Sequence, residues 1–430
     1  MRKFWIAMLA AMLLVLLPVA SLAAVWVAGV EMAEGQYLPV GSSSLQDEKP
    51  AEVGYALLTK ENGQAVLTLH DYHNYGKIND SISSYYSSAI SLDEALILHL
   101  EGSSTLINPE ESSDGISVDN SSLTITGDGS LKIDAPYGIY KYSSGSVTIA
   151  GGNMTLENAT AAITTDNFSI KDGSVSIKNC TRTIATITCT ISGGNLTIDS
   201  STNGIRTTTM TMNGGSVSVN IAGSSEGSGI FANNLTINNG SVSVTSSDSG
   251  FGILTDNLTI NNGSVSVTNG SGIVANFATV INGGSVSIKN ANNGISTRKT
   301  TITGGTVAIN AKTFGISSSE KVEIYGGILN LTAETPVQSN NEIICKLPLP
   351  QGTEIFKNYV FDGSYHWVLA NKEIFENDMP HTVCLSVPPA PAAAPTTGDN
   401  AQPVMWLALA VLSALCAVTL MRSKRELQQK

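Results

Sequence analysis

The side chains able to do chemistry in this sequence are sparse, and their types suit contact with oxygen-rich ligands better than bond breaking. Asn233, Asp256 and Asn276 occupy one place in three successive repeats. Their oxygens are therefore expected about one strand spacing apart, ~4.8 Å, an arrangement open to calcium or to sugar hydroxyls. The competing reading of the same three residues is a ladder of Asx turns that satisfies backbone amides. A polysaccharide lyase needs clustered Asp or Glu to hold calcium and a base to take the proton beside a uronate carboxyl, and a hydrolase needs two opposed carboxylates. Between residues 115 and 331 there is no His, and the only Arg are Arg182, Arg206 and Arg298. The carboxylates Asp119, Asp134, Asp166, Asp172, Asp199, Asp248 and Asp256 read as spread. No catalytic residue is assigned, and the chain is read as a non-enzyme. His70 and His73, three apart, fall on opposite faces of a strand and do not make a metal pair. No spacing suggests zinc. No cofactor is expected, calcium at the Asn233–Asp256–Asn276 ladder being the one candidate.

The elements that must hold these groups are written as a repeat. A small residue followed by Ile recurs at Gly115, Gly138, Ala162, Thr183, Gly204, Gly229, Gly252, Gly272, Gly294 and Gly315, with starts 20 to 26 residues apart counting Ala89-Ile90. Two alternating triplets follow in each unit, such as Leu235-Thr236-Ile237 and Val242-Ser243-Val244. Alternation over three residues is strand periodicity, with apolar residues on one face and Ser or Thr on the other. Asn/Gly pairs such as Asn213-Gly214-Gly215, Asn239-Gly240 and Asn262-Gly263 mark a turn at the same place in every unit. Strands this short bury their apolar face only by stacking unit on unit, so the fold is an all-β, single-stranded parallel β-helix of about ten coils, on the order of 50 Å long. The Leu-rich consensus of leucine-rich repeats is missing.

Two outward hydroxyl columns result. One is Thr124, Thr148, Ser169, Thr190, Thr211, Thr236, Thr259 and Thr301; the other is Thr155, Ser176, Thr197, Ser218, Ser243, Ser266 and Ser287. Thr suits strands and Ser keeps an outer face wet. As a flat array they offer weak contacts to sugar or ice that rely on repetition, without the aromatic platforms that stack on pyranose rings.

Both ends carry addressing signals. Residues 1–23 read as a signal peptide: Arg2 and Lys3, an apolar run from Phe4 to Leu17, then Ser21-Leu22-Ala23 before a mature start near Ala24. Near the other end Pro395-Thr396-Thr397-Gly398 precedes an apolar stretch from Val404 to Met421 and the basic Arg422, Lys424 and Arg425. This resembles a Gram-positive sortase sorting signal, in which the chain is cut between Thr and Gly and joined to peptidoglycan. Ala394 stands where that family's pentapeptide has Leu. The alternative is a retained membrane anchor, since the stretch is long enough to span. Sortase, peptidoglycan and, before sorting, the membrane are thus expected partners, with the protein exported to the cell wall or surface.

The whole chain has a net charge of −12; without both end segments 17 basic residues face 33 acidic ones, a net −16. Such a surface excludes nucleic acid as a partner. Only 13% of residues are charged, so the polar surface is mainly Ser, Thr and Asn. Five cysteines are too few and scattered for a disulfide scaffold, with Cys345 and Cys384 the one pair left open.

The expected organisation is a signal peptide (1–23), an N-terminal β cap (24–101), the repeat domain (102–335), a C-terminal β cap (336–387), a Pro/Ala linker with the sorting motif (388–399), and a transmembrane segment with basic tail (400–430). The plan resembles secreted carbohydrate-binding β-helix surface proteins of anaerobic Gram-positive bacteria. Its matching pieces are Val25-Trp26-Val27-Ala28-Gly29-Val30, Leu67-Thr68-Leu69 with His70-Asp71-Tyr72, Leu123 to Leu131, and the Gly-Ile coils. The resemblance implies a right-handed helix and, in some relatives, calcium-assisted binding of plant-type polysaccharides. A polysaccharide or host glycan is the expected ligand, and the protein is read as a non-catalytic binding module or adhesin, with a purely structural stalk as the first alternative and a polysaccharide lyase as the second.

Overall fold

The computed structural model describes residues 24–75, 88–118, 120–221, 223, 227–346, 359–361, 366–369 and 381–386. The signal segment, Asp119, the sorting motif and the apolar stretch after it lie outside them. Every regular element among the described residues is a strand, and none forms a helix long and apolar enough to cross a membrane. The chain through Val387 is one unit, and Pro388–Lys430 is a second.

The repeat folds into a parallel β-solenoid of about eleven turns. Its first sheet stacks Ile90, Ile116, Ile139, Ile163, Ile184, Ile205, Ile230, Ile253, Ile273, Ile295, Ile316 and Val337 in strict parallel register. The last level, carried by Thr335–Ser339, has no small-Ile pair to announce it. A second sheet stacks Leu98, Ile125, Ile149 and Ile170, and later Ile191, Met212, Ile237, Ile260, Ile281, Ile302, Ile324 and Cys345. A third stacks Leu106, Ile133, Leu156, Ile177, Ile198, Val219, Val244, Val267, Ile288, Ile309 and Leu331. All three columns are buried in one continuous cluster. Each such side chain contributes about 1.5–3 kcal/mol of apolar burial, which it can do only with a neighbouring coil in place.

The turn glycines and the small-Ile glycines have different causes. Between the second and third sheets Gly173, Gly194, Gly215, Gly240, Gly263, Gly284 and Gly305 hold φ between 64° and 88°, a conformation L side chains rarely adopt. The small residue before each first-sheet Ile is needed for close approach: a Cβ on Gly252 would lie 2.7 Å from the Gly272 carbonyl oxygen of the next coil. Thr183 occupies that column because its Oγ1 donates to the carbonyl oxygens of Gly204 and, at 3.1 Å, of Asn203.

Antiparallel strands close the parallel edges, which would otherwise offer unpaired backbone to other chains. Val25–Val27 pairs with Ser88–Leu92, and Tyr37–Pro39, Tyr55–Glu61 and Gln64–His70 form a meander whose last strand is the first level of the second sheet. At the far end His366–Leu369 pairs with Glu342–Cys345, and His381–Ser386 with Ile328–Ala333. Cys345 is buried, and the backbone of Cys384 pairs with Asn330; the side chain of Cys384 is outside the described residues.

Candidate functional site

Three sheets give three outer faces, each with its own chemistry. On the third, Thr155, Ser176, Thr197, Ser218, Ser243, Ser266 and Ser287 stand in one unbroken register. A parallel column runs Asn153, Ser174, Asn195, Ser216, Ser241, Ser264 and Ser285, partly linked by Ser174 Oγ donating to Asn153 Oδ1 (2.6 Å) and Ser216 Oγ to Asn195 Oδ1 (3.1 Å). At the edge of this face the fixed register aligns Asp134, Glu157, Lys178 and Asp199, which unequal coil lengths had made look scattered. The carboxylates in that column are engaged by Lys132 on Glu157 (2.8 Å), Asn158 on Asp134 (3.1 Å) and Asn220 on Asp199 (3.2 Å).

The second sheet carries the other hydroxyl column, with Thr190, Thr211, Thr236 and Thr259 in register, then Val280, Thr301 and Glu323. Glu323 is buried, which pushes its carboxyl up, but bonds from Lys321, Lys299 and Tyr325 outweigh this and hold it at about 2. At the opposite end His70 and His73 sit in different strands, and the two imidazoles that share one carboxylate are those of His70 and His99. Glu101 lies between these imidazoles, 3.1 Å from His70 Nδ1 and 3.7 Å from His99 Nε2, while the His70 ring stacks on Tyr55 at 5.0 Å. No group of three or more His, Cys, Asp or Glu suited to a metal ion occurs among the described residues.

Asp256 and Asn276 meet: Asn276 Nδ2 donates to Asp256 Oδ1 at 2.8 Å on the exposed corner between the first and second sheets. Asn233 is exposed one coil earlier, and its backbone carbonyl accepts from Thr255 Oγ1 at 3.2 Å. A longer asparagine ladder lies at the next corner, where each amide donates to the coil before it: Asn238 to Asn213, Asn261 to Asn238 and Asn282 to Asn261, all at 2.8 Å, with Thr303 ending the series at 2.9 Å.

The first sheet's outer face was missed in the sequence. Its column is the residue immediately after each Ile: Ser91, Ser117, Tyr140, Thr164, Ala185, Arg206, Phe231, Leu254, Val274, Ser296 and Ser317. The signal was present in the small-Ile alignment, one place along from the pair itself. Tyr140 packs against Tyr137 (4.8 Å between ring centroids) and Tyr142 (5.0 Å). The Tyr142 phenol donates to the Asp114 carboxylate, 3.0 and 2.9 Å from its two oxygens, and Ser88 Oγ adds a bond at 3.3 Å. Burial raises the Asp114 carboxyl to about 7 against the opposing pull of those two hydroxyls. Beside it Lys141 pairs with Asp166, whose carboxyl is held below its ordinary range by that bond. Further along, the Arg206 guanidinium lies 5.4 Å from the Phe231 ring centroid.

No curated protein and no solved structure matches this chain. A family model described as "Carbohydrate-binding domain-containing protein" matches residues 81–294 and 252–358, which together take in the coils and the faces they carry. With more than half of its length matched, the chain belongs to this family of carbohydrate-binding domain-containing proteins.

Proposed function

We propose that this is an exported protein, joined to the cell wall through Pro395, Thr396, Thr397 and Gly398, that binds polysaccharide or host glycan at the cell surface as an adhesin without chemistry of its own. The observation that carries the binding is the family match across the solenoid. The surface agrees with it: the second and third outer faces are mostly neutral hydroxyls and amides, and the aligned carboxylates Asp134, Glu157 and Asp199 are each engaged by a neighbouring amide or amine. A cofactor is not required by this reading. Attachment rests on the sorting motif, its spacing from the apolar stretch and the basic tail.

A glycan array probed with the full chain, with and without calcium, tests the binding. Retention of a polysaccharide without turnover is expected. Release of unsaturated oligosaccharides would make the protein a lyase, and no retention would leave a structural stalk. Attachment is tested by Thr397→Ala, which is expected to move the protein out of the wall fraction.

A further inference from the structure

Along the rod the first sheet's outer face carries Tyr140 and, past Thr164, Ala185 and Arg206, the apolar run Phe231, Leu254 and Val274. Tyr140 stands on the third level of that sheet and Phe231 on the seventh, four levels or about 19 Å apart at ~4.8 Å per level. Both ends of this interval are organised in advance. Tyr142, 40% exposed, covers Tyr140 and is tethered through its phenol to Asp114, so its ring is held in place before any ligand arrives. Arg206 is exposed and its guanidinium lies over the Phe231 ring, 5.4 Å from the centroid, steadying that ring and offering N–H donors next to it. Leu254 continues the apolar strip in the next coil. Rings fixed in this way lose little freedom on binding, and aromatic faces pack against the C–H faces of a sugar ring.

We propose that a neutral polysaccharide chain lies along the first sheet's outer face, parallel to the solenoid axis, with pyranose rings stacked at Tyr140–Tyr142 and at Phe231 and with hydroxyls hydrogen-bonded by Arg206. This rests on the carbohydrate-binding reading and adds to it the face, the direction and the ligand class. A neutral polymer fits because the chain as a whole is acidic, net −12, and Lys141 in this region is already neutralised by Asp166. Because the two anchors are about 19 Å apart, only a chain several sugars long engages both.

The test uses the full chain in mild detergent, titrated with soluble mixed-linkage β-glucan and glucomannan as neutral probes and polygalacturonate as the anionic one. Tyr142→Ala and Phe231→Ala are each expected to weaken neutral-polymer binding about tenfold, and the double variant about a hundredfold. Glu48→Gln, at an exposed position of the N-terminal cap, is expected to leave it unchanged. Tyr142→Trp and Phe231→Tyr, which keep a ring, are expected to retain binding. Circular dichroism and thermal midpoints identify any variant that fails to fold, in which case the ring-keeping variants and a cellobiose-to-polymer length series carry the decision. A disaccharide, which reaches only one anchor, is expected to bind wild type at least tenfold more weakly than the polymers do, and equal affinity would overturn the proposal. Wild-type binding that survives both alanine substitutions, or binding of polygalacturonate alone, overturns this assignment and leaves the carbohydrate-binding reading standing. Failure of the wild type to bind any of the polymers overturns both.

Discussion

Gly252→Ala is the sharpest test of why the repeat demands a small residue before each first-sheet isoleucine. An ideal Cβ at this position would sit 2.2 Å from Cγ1 of Val267 and 2.7 Å from the carbonyl oxygen of Gly272. Non-bonded carbons prefer about 3.5–4.0 Å, so both neighbours have to move. Neither moves freely. Val267 is fully buried and stiff at its branched Cβ, and the Gly272 carbonyl accepts the Ile253 amide at 3.0 Å, a bond that joins two coils. Overpacking of this kind costs about 1–3 kcal/mol, against a gain of about 0.4–1 kcal/mol from a less flexible unfolded chain. The net expectation is a loss of about 1–2 kcal/mol, read as a lower urea midpoint by far-UV circular dichroism, with faster hydrogen exchange in peptides covering Gly252 to Ile281. Gly63 is the control, since it has φ +82° and nothing within 4 Å of a Cβ. There Asn, which tolerates the left-handed region, should be better than Ala; at Gly252 Asn should be worse. An unchanged or raised midpoint for Gly252→Ala would refute the close-approach account.

Thr279 stands where the second-sheet column otherwise carries Leu258, and its hydroxyl is buried without a hydrogen-bond partner; Thr279→Val is expected to stabilise by about 1 kcal/mol in the same unfolding assay. Asp114 has a folded-state carboxyl raised to about 7 by burial. Its contribution is therefore fully present below the unfolded-state value and is lost as pH rises from about 4 through 7. Thermal midpoints between those pH values should fall more steeply for wild type than for Asp114→Asn, by an amount on the order of 3 kcal/mol; parallel curves would contradict the burial of an ionisable carboxyl. Asn238→Ala removes two ladder bonds, to Asn213 and from Asn261, and is expected to cost about 1 kcal/mol, roughly twice the effect of Asn213→Ala at the ladder's end.

The stacked coils were legible because their cause is local. Alternating side chains point to opposite faces of a strand whatever lies elsewhere, and an Asn/Gly turn at a constant place forces each unit to repeat the last. The Ser and Thr columns followed directly from that alternation. The candidate oxygen ladder was legible only in part: Asp256 and Asn276 do meet, at 2.8 Å, while the ladder through Asn213, Asn238, Asn261 and Asn282 sits one residue before the Asn-Gly pairs in two of its coils and escaped the alignment.

The sequence by itself determined the period, the alternation of inward and outward residues and the hydroxyl character of the second and third outer faces, since these depend on backbone geometry within one unit. Only the tertiary structure decided which residues of different coils stand side by side. Coil lengths vary, and hydrogen-bond register, not residue count, sets the alignment. That is how Tyr142 comes to rest on Asp114, 28 residues earlier, and Glu101 to lie between His70 and His99. Arg206 meets the ring of Phe231 for the same reason: parallel strands pair by their backbones, and side chains distant in sequence become neighbours one level apart.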